Sequence, residues 1–460
     1  MKKMLAAVLS VCLLCSLLVT GCGGGKKYGL DPKNPITLTM WHNYGGDMQN
    51  TMDELIDEFN STVGKEQGII INVTAITSSS ELQETLNMIV NGDPGAPKMP
   101  DITSCYPKTA VLFQQKGMLA NLDNYFTKEE LSAYIPKFVE EGRFGDNGLY
   151  VFPFAKSTEI LYLDQTLFDR FAAETGVTMD CFKTFEGIAD ASQKYYKWTD
   201  AKTPDVPNDG KQFFAADSWL NLAQAGMIQK GGSLFANQAL NLDNDTYAHI
   251  WQTCYAPSVA GGFAIYDGYS SDLSKTGDLV CSTGSSAGIL FYGNTITYAD
   301  NTVEPVEYSI LPFPVFEGGK KAAIQRGNGF CVAASDKTRE YAASVFLKWF
   351  TRPAQNMRFV ASTGYLPVTN EAFEKDMPAQ MASVKDARIR KMLKAVTEMQ
   401  AQYDFFVAPT FGTFDSLSKD YEKRYKALLT ADRKALLSGS PAAPVSQGSE
   451  AALKDFKAKK

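Results

Sequence analysis

A G-x-S-x-G pattern supplies the most recognisable candidate nucleophile of the chain. Residues 284–288 read Gly-Ser-Ser-Ala-Gly and place Ser286 at the position of the reactive serine. In an α/β-hydrolase the acid and the histidine follow that serine along the chain. The two histidines, His42 and His249, both precede Ser286. Because no base follows the serine, we interpret the pattern as a chance match.

Other catalytic and metal-binding patterns are missing from the sequence. It contains no P-loop, no H-E-x-x-H and no C-x-x-C pair among the cysteines that follow residue 22. A zinc site is disfavoured because the sequence contains only two histidines. A glycosidase needs two carboxylates flanking a sugar, and 51 Asp and Glu residues offer no basis for choosing a pair. We therefore predict a protein without catalytic residues, cofactor or metal, with a secreted glycosidase as the alternative.

Polar and aromatic residues occur instead where predicted strands end. In open α/β sheets, ligands bind beyond the carboxyl ends of the strands. Aromatic rings can cover the C–H face of a sugar while amide and hydroxyl side chains bond its hydroxyls. The sequence therefore predicts a site for a polyhydroxylated ligand, with burial in the core as the alternative for each aromatic ring. The candidates of this kind are Trp41, Asn43, Tyr44, Asp217, Trp219, Ser285, Tyr365 and Thr410.

Alternating strands and helices are predicted to position these residues. Residues 36–41 alternate as a strand does, and the apolar spacing over 47–60 is that of an amphipathic helix. Strands that alternate with helices indicate an α/β fold with a mainly parallel, doubly wound sheet. Further predicted strands lie at 69–73, 99–103, 148–154, 279–291 and 308–315. Further predicted helices lie at 80–90 with Ser80 as N-cap, at 108–116 and at 339–350, where Pro353 stops or kinks the helix.

The first 25 residues indicate export and membrane anchoring. Two lysines and an apolar run over 4–19 form a secretory signal peptide, which we assign to residues 1–21. The sequence Leu-Val-Thr-Gly-Cys at 18–22 resembles a bacterial lipobox, in which cleavage precedes Cys22 and its thiol carries diacylglycerol. Several acyl chains at one residue hold a protein stably on a membrane. We predict an extracytoplasmic protein anchored by lipidated Cys22, with residues 22–35 as a flexible tether and an ordinary cleaved signal as the alternative.

Size and composition restrict the mature chain further. Removal of the signal peptide leaves about 439 residues, too many for one ordinary core, so two lobes are expected. The net charge of −6 becomes −8 without the two signal lysines (43 Lys+Arg against 51 Asp+Glu), and the absence of basic tracts disfavours nucleic acid. Five widely spaced cysteines are no disulfide framework and are predicted to be buried. They are Cys105, Cys181, Cys254, Cys281 and Cys331.

A series of short motifs occurs in order along the mature chain. They are Trp41-His42-Asn43-Tyr44, Leu119-Ala120-Asn121-Leu122, Leu149-Tyr150-Val151-Phe152-Pro153, Ile160-Leu161-Tyr162-Leu163-Asp164, Ile310-Leu311-Pro312-Phe313-Pro314, Phe346-Leu347-Lys348-Trp349-Phe350 and Thr363-Gly364-Tyr365-Leu366-Pro367-Val368. Together they resemble the family 1 extracellular solute-binding proteins, the substrate-capturing lipoproteins of ABC sugar importers. The resemblance implies a two-lobed periplasmic-binding-protein-like fold (type II) with a ligand cleft between the lobes. We expect a monomer that delivers a mono- or oligosaccharide to the transmembrane subunits of an ABC permease.

The resemblance also suggests lobe boundaries and binding positions. We assign 36–152 and 306–350 to lobe 1, 153–305 and 351–437 to lobe 2, and 438–460 to a frayed C-terminal tail with one weak helix at 449–458. The chain is similar to the glycerol-3-phosphate-binding branch of the family. Ligand-contacting positions of that branch correspond to Ser80, Pro107, Ser157, Ser285, Gly327, Tyr365 and Thr410.

Three of these positions depart from the branch pattern. The branch has an aromatic residue at Ser80, a glutamate at Pro107 and an arginine at Thr410. Loss of that arginine removes the fork that would bind a phosphate bidentately, and Arg326 could replace it only after a rearrangement. We therefore predict a neutral sugar, with glycerol 3-phosphate or a glycerophosphodiester as the alternative ligand.

The predicted roles of the site residues follow from this assignment. Trp219 is expected to stack on the sugar, supported by Trp41 or Tyr365. The residues expected to bond sugar hydroxyls are Asn43, Asp217, Ser157 and Ser285. An adhesion or structural surface protein without a small-molecule ligand is the alternative from another functional class.

Overall fold

The computed structural model of the protein describes residues 28–76, 78–439 and 445–458. The predicted signal peptide, the predicted lipidation site Cys22 and the first part of the predicted tether lie outside the described residues. Within the described ranges, no helix has the length and apolar character needed to cross a membrane. The same ranges contain no group of three or more His, Cys, Asp or Glu side chains placed to hold a metal ion.

The strands range from two to eight residues, and the longest of them lie in the two main sheets. In chain order they are β1 (Ile36–His42), β2 (Ile69–Ala75), β3 (Ile102–Cys105), β4 (Arg143–Phe144), β5 (Gly148–Leu149), β6 (Phe152–Pro153), β7 (Ser157–Asp164), β8 (Gln212–Ala216), β9 (Phe235–Ala236), β10 (Ala239–Leu240), β11 (Leu279–Ser285), β12 (Thr295–Thr297), β13 (Val303–Pro305), β14 (Tyr308–Leu311), β15 (Ala322–Arg326), β16 (Gly329–Val332) and β17 (Asp404–Phe406).

Helices alternate with these strands, as the sequence predicts for an α/β fold. In chain order they are α1 (Asp47–Ser61), α2 (Val63–Gln67), α3 (Ser79–Asn91), α4 (Pro107–Gln115), α5 (Lys128–Ser132), α6 (Pro136–Glu141), α7 (Gln165–Thr175), α8 (Phe185–Asp200), α9 (Trp219–Gln229), α10 (Asp245–Ala260), α11 (Ser270–Lys275), α12 (Lys337–Phe350), α13 (Pro353–Thr363), α14 (Met377–Gln380), α15 (Ala387–Gln400), α16 (Phe414–Leu437) and α17 (Val445–Ala458).

The chain forms two compact α/β units. The described residues up to Phe154 together with Gly329–Asn356 form unit 1, and Ala155–Asn328 together with the described residues from Met357 onward form unit 2. Residues 306–328 therefore belong to unit 2, although the sequence assigns them to lobe 1. The reason is strand pairing, because β14 and β15 in this segment both hydrogen-bond to β7.

Unit 1 is built on a five-stranded sheet in the order β2-β1-β3-β16-β6. The first three of these strands are parallel, whereas β16 runs antiparallel to β3 and β6. Leu38 and Met40 of β1 are completely buried. Helix α1 buries Phe59 against Phe346 and Trp349 of α12. The parallel part of the sheet places the ends of β1 and β3 at one edge.

Unit 2 contains a six-stranded sheet in the order β17-β15-β7-β11-β8, with β14 also paired to β7. All eight residues of β7 are buried. This strand runs antiparallel to β11, β14 and β15, while β8 is parallel to β11. The sheet is therefore mixed rather than mainly parallel as predicted. Its pairing brings the last residues of β8, β11 and β15 to the edge where β7 begins.

Several predicted elements end or begin elsewhere in the structure. The predicted strand over 279–291 stops at Ser285, and a 3-10 helix follows at Ser286–Phe291. Helix α3 is capped by Ser78 rather than Ser80, since the Ser78 hydroxyl accepts the Glu81 N–H. Helix α12 ends at Phe350, as predicted, and Pro353 begins α13, a position where its missing N–H has no cost.

The described helix of the C-terminal segment, Val445–Ala458, is packed rather than frayed. Helix α17 covers the predicted weak helix and begins earlier. The Trp251 indole N–H donates to the Ser449 carbonyl at 3.1 Å, and Phe456 is 1% exposed. The Phe456 ring lies against Trp251 and Tyr421 of unit 2. A large apolar side chain buried at this point attaches the end of the chain to α10 and α16.

Candidate functional site

The strand ends of unit 2 bring together two of the predicted serines. Ser157 begins β7, and Ser285 ends β11 on the neighbouring strand. The Ser285 hydroxyl donates to the Ser157 hydroxyl at 3.0 Å. Ser157 is buried and Ser285 is partly exposed. This edge therefore presents adjoining hydroxyl groups at the position predicted for a ligand.

A buried acid and an arginine stand beside the two serines. In the sheet register Glu159 lies opposite Ser285, and Arg326 lies opposite Ser157. The Arg326 Nη1 donates to the Glu159 Oε1 at 3.1 Å, and the Asn221 Nδ2 donates to the same oxygen at 2.7 Å. Burial raises the pKa of the Glu159 carboxyl, and the charge of Arg326 opposes that rise. Sequence reasoning missed Glu159, although an acid beside the apolar run Ile160–Leu163 is a visible signal.

Helix α9 adds its N-terminus to the same edge. Its cap is Ser218, which accepts the Asn221 N–H at 3.1 Å and donates to the Glu422 Oε1 at 2.7 Å. Burial raises the pKa of the Glu422 carboxyl, against the Leu220 N–H bonded to it. The predicted residue Asp217 precedes this cap and is exposed, and its Oδ1 accepts the Ser270 N–H at 3.1 Å. Carboxylates therefore dominate this part of the edge.

Trp219 does not offer a free face to a ligand in this structure. It begins α9, and only 2% of its surface is exposed. Its ring lies 5.2 Å from that of Tyr425 and also faces Phe263. The predicted stacking on a sugar is corrected accordingly, because these rings already cover the indole.

Gly327 occupies a backbone position that requires glycine. Its φ is +97°, and a Cβ at this position would lie 2.6 Å from the Ala155 carbonyl oxygen. The Lys156 Nζ donates to the Gly327 carbonyl at 3.3 Å. The Lys156 carbonyl in turn accepts the Leu366 N–H at 2.7 Å. This chain of bonds fixes the backbone next to the end of β15.

The other predicted positions of unit 2 lie in segments around this edge. Tyr365 precedes Leu366 and is partly exposed, with its ring stacked on Phe359 at 6.0 Å. Thr410 is partly exposed in the segment 407–413 between β17 and α16. Tyr365 thus remains a candidate aromatic contact, whereas the described contacts link Thr410 to none of the other candidates.

Two buried tyrosines contact the C-terminal part of β11. The Tyr162 hydroxyl donates to the Ser285 carbonyl at 2.6 Å, and burial raises the pKa of this phenol. The Tyr292 ring stacks on Tyr162 at 4.1 Å, and its hydroxyl is 2.7 Å from the Ser282 hydroxyl. These residues were not identified from the sequence because their roles depend on contacts between distant segments.

The candidates of unit 1 lie at the ends of β1 and β3. The Asn43 Nδ2 donates to the Ser79 hydroxyl at 2.5 Å, and its Oδ1 accepts the Ser104 hydroxyl at 3.0 Å. Asn43 therefore connects β1 with α3 and β3. Ser80 is exposed on α3, and Pro107 is buried as the first residue of α4.

The two aromatic candidates of unit 1 pack inward. Tyr44 is 1% exposed and meets Phe154 edge to face at 6.0 Å, so its ring belongs to the core. Trp41 is partly buried and packs on the apolar cluster that contains Phe113. For Tyr44 the predicted contact with a ligand is replaced by a core role, because Phe154 and His42 flank the ring.

The serine of the G-x-S-x-G pattern is not placed as a nucleophile. Ser286 is fully buried, and its hydroxyl accepts the Thr158 N–H at 3.3 Å. His249 lies on α10, where its ring nitrogen is 2.7 Å from the Glu186 carboxylate. The interpretation of this pattern as a chance match agrees with both observations.

Comparison with known proteins places the chain in a family. The profile of the bacterial extracellular solute-binding proteins matches residues 54–391. The chain belongs to this family. The cyclic alpha-maltosyl-1,6-maltose binding protein of Arthrobacter globiformis has the same fold, with a TM-score of 0.65 and 19% identity over 92% of this chain and 99% of that one. The family is described as extracellular, which fits the predicted extracytoplasmic location.

Two sequence relatives carry names that state a ligand. The arabinooligosaccharide-binding protein of Bacillus subtilis is 24% identical over 356 residues, which are 74% of this chain and 75% of that protein. The sn-glycerol-3-phosphate-binding periplasmic protein UgpB of Rhizobium meliloti is 22% identical over 381 residues, 78% of this chain and 83% of that protein. This solute-binding protein is therefore similar to one sugar binder and to one binder of a phosphorylated polyol.

Proposed function

We propose that this solute-binding protein captures a neutral carbohydrate and delivers it to an ABC permease. The observation that carries the proposal is the edge of unit 2 described above. Ser157 and Ser285 supply hydroxyls, Asp217 supplies an exposed carboxylate and Asn221 an amide. Sugar hydroxyls both donate and accept hydrogen bonds, so a mixed set of donors and acceptors suits them. The name of the Bacillus subtilis relative supports an oligosaccharide.

The remaining parts of the proposal follow from the sequence. The lipobox supports a lipid anchor at Cys22 that keeps the protein close to its permease, and a monomer suffices for delivery. Trp41 and Tyr365 are the aromatic candidates that are only partly buried. In this proposal the protein binds its sugar and returns it chemically unchanged.

A phosphorylated ligand is the second candidate. It is favoured by the similarity to the UgpB protein of Rhizobium meliloti and by Arg326 at the end of β15. Against it stands the ion pair between Arg326 and Glu159. A neutral sugar needs no free cation, and so we prefer it.

Calorimetry with purified protein tests the proposal. Arabinotriose and maltotriose are titrated in parallel with sn-glycerol 3-phosphate, and each is screened for a rise in the melting temperature. We expect saturable binding of at least one sugar. Ser157→Ala should weaken that binding by tenfold or more, whereas Ser416→Ala, an exposed serine of α16, should leave it unchanged.

Three results would contradict the proposal. Binding of sn-glycerol 3-phosphate alone would favour the second candidate. Chromatography of the sugar after overnight incubation tests for turnover, and shorter products would identify a glycosidase. Absence of binding by every sugar of a wider mono- and oligosaccharide panel would favour an adhesion or structural role.

A further inference from the structure

We propose that Glu159 is a positioning residue that withholds the Arg326 guanidinium from anionic ligands, so that the site accepts neutral sugars and rejects phosphorylated ones. This inference rests on the proposed function, since it concerns the same edge of unit 2. It assigns ligand selectivity to a residue buried beneath the edge.

Arg326 is placed where a phosphate contact would be expected. It ends β15 opposite Ser157 and directly precedes Gly327. Its side chain is 32% exposed, so part of the side chain reaches solvent. An arginine fork in such a position can bind a phosphate bidentately. Lys156 is buried and donates to the Gly327 carbonyl, whereas the Arg326 side chain is partly exposed.

Glu159 holds this guanidinium from the inside of the sheet. The Arg326 Nη1 lies 3.1 Å from the Glu159 Oε1, and the carboxylate side chain is 2% exposed. Asn221 donates to the same oxygen and thereby fixes the direction of the carboxylate. Solvent and salt screen a buried pair poorly, and release of Arg326 would leave the buried Glu159 charge without its cationic partner. A phosphate would therefore have to compete for the Arg326 guanidinium with Glu159, whose carboxylate is held in place within the sheet.

Neighbouring carboxylates increase this discrimination. Asp217 and Glu422 both act on the Glu159 carboxyl as like charges. Glu422 receives the Leu220 N–H at 2.9 Å, and Lys426 lies near enough to compensate part of its charge. Like charges at short range oppose the entry of an anion but leave a neutral sugar unaffected. The ion pair between Glu159 and Arg326 and the nearby carboxylates therefore both disfavour the binding of an anion.

Binding measurements on three variants test the inference. Glu159→Gln keeps an oxygen that can accept from Asn221 and Arg326 but removes the negative charge. We expect this variant to bind sn-glycerol 3-phosphate at least tenfold more tightly than the wild type and to keep binding the sugar identified above. Adding Arg326→Gln to that variant should abolish the gain. Glu422→Gln is the matched control, because it removes a nearby charge without touching Arg326, and we expect a much smaller gain.

The possible outcomes separate this inference from the proposed function. If Glu159→Gln is folded by circular dichroism and still binds sugar but gains no affinity for sn-glycerol 3-phosphate, the inference is wrong while the proposed function stands. An equal gain in Glu422→Gln would also overturn it. The wild type provides a test that needs no folded variant, since tight binding of both sugar and sn-glycerol 3-phosphate would show that Glu159 does not exclude anions. Failure of all sugars would refute the proposed function instead.

Discussion

The buried histidine at the end of β1 should make unit 1 lose stability in mild acid. The His42 imidazole is completely buried, its Nδ1 accepts the Tyr44 N–H at 3.2 Å, and its Nε2 has no hydrogen-bond partner among the described residues. Burial lowers the pKa of His42 from 6.5 to about 4. Protonation would place a charge in the core and take away the acceptor that Tyr44 uses.

The size of the effect follows from the difference between the two pKa values. Between pH 6.5 and about 4, His42 is protonated in the unfolded chain but neutral in the folded chain. The free energy of unfolding therefore falls as the pH drops through this range. One pKa unit corresponds to about 1.4 kcal/mol, and the full shift would contribute about 3 kcal/mol. Between pH 7.5 and 5.0, about 2 kcal/mol of this should be lost.

Urea denaturation of wild type and His42→Gln at both pH values measures the effect. Other groups titrate in the same range, and so the difference between the two proteins is the quantity that reports on His42. We expect the stability advantage of the wild type to shrink by about 2 kcal/mol between pH 7.5 and 5.0. NMR titration of the His42 ring gives the pKa directly, with a His249→Gln variant to assign the two imidazole signals. A difference that stays constant with pH, or a His42 ring that titrates near 6.5, would refute the reasoning.

Three further predictions concern single substitutions. Trp219→Ala should reduce the free energy of unfolding by about 3–5 kcal/mol in denaturant titrations, because it leaves a cavity against Tyr425, and a loss of sugar affinity without a loss of stability would contradict the core role. Gly327→Ala should weaken sugar binding strongly in calorimetry, since the Cβ meets the Ala155 carbonyl, and wild-type affinity would show that this backbone can shift. Cys22→Ser should release a folded, sugar-binding protein into the medium, and a variant that stays in the membrane fraction would rule out the lipobox.

Local patterns were enough to predict many elements of the fold. Strand β1 covers the alternating pattern over 36–41 and extends one residue beyond it. Helix α1 likewise covers the apolar spacing over 47–60 and ends one residue later. The predicted helix at 339–350 is α12. The strand predicted over 279–291 was too long, because β11 ends at Ser285 and a 3-10 helix follows at Ser286–Phe291. Apolar residues lie on both sides of this serine- and glycine-rich junction, and the predicted strand joined the two apolar segments into one element.

The sequence by itself determined the family and the chemical character of the candidate site. The family is recognised from short motifs that occur in a fixed order along the chain. Serine, asparagine and aspartate at the ends of predicted strands can also be identified from the sequence. Only the tertiary structure decided which of these residues meet. Ser157 and Ser285 are 128 residues apart and share a hydrogen bond, whereas Trp219 is enclosed by other rings. The pairing of Glu159 with Arg326 spans 167 residues and depends on the register of β7 and β15. The register of paired strands is set by the packing of the whole sheet, so it cannot be predicted from a local sequence pattern.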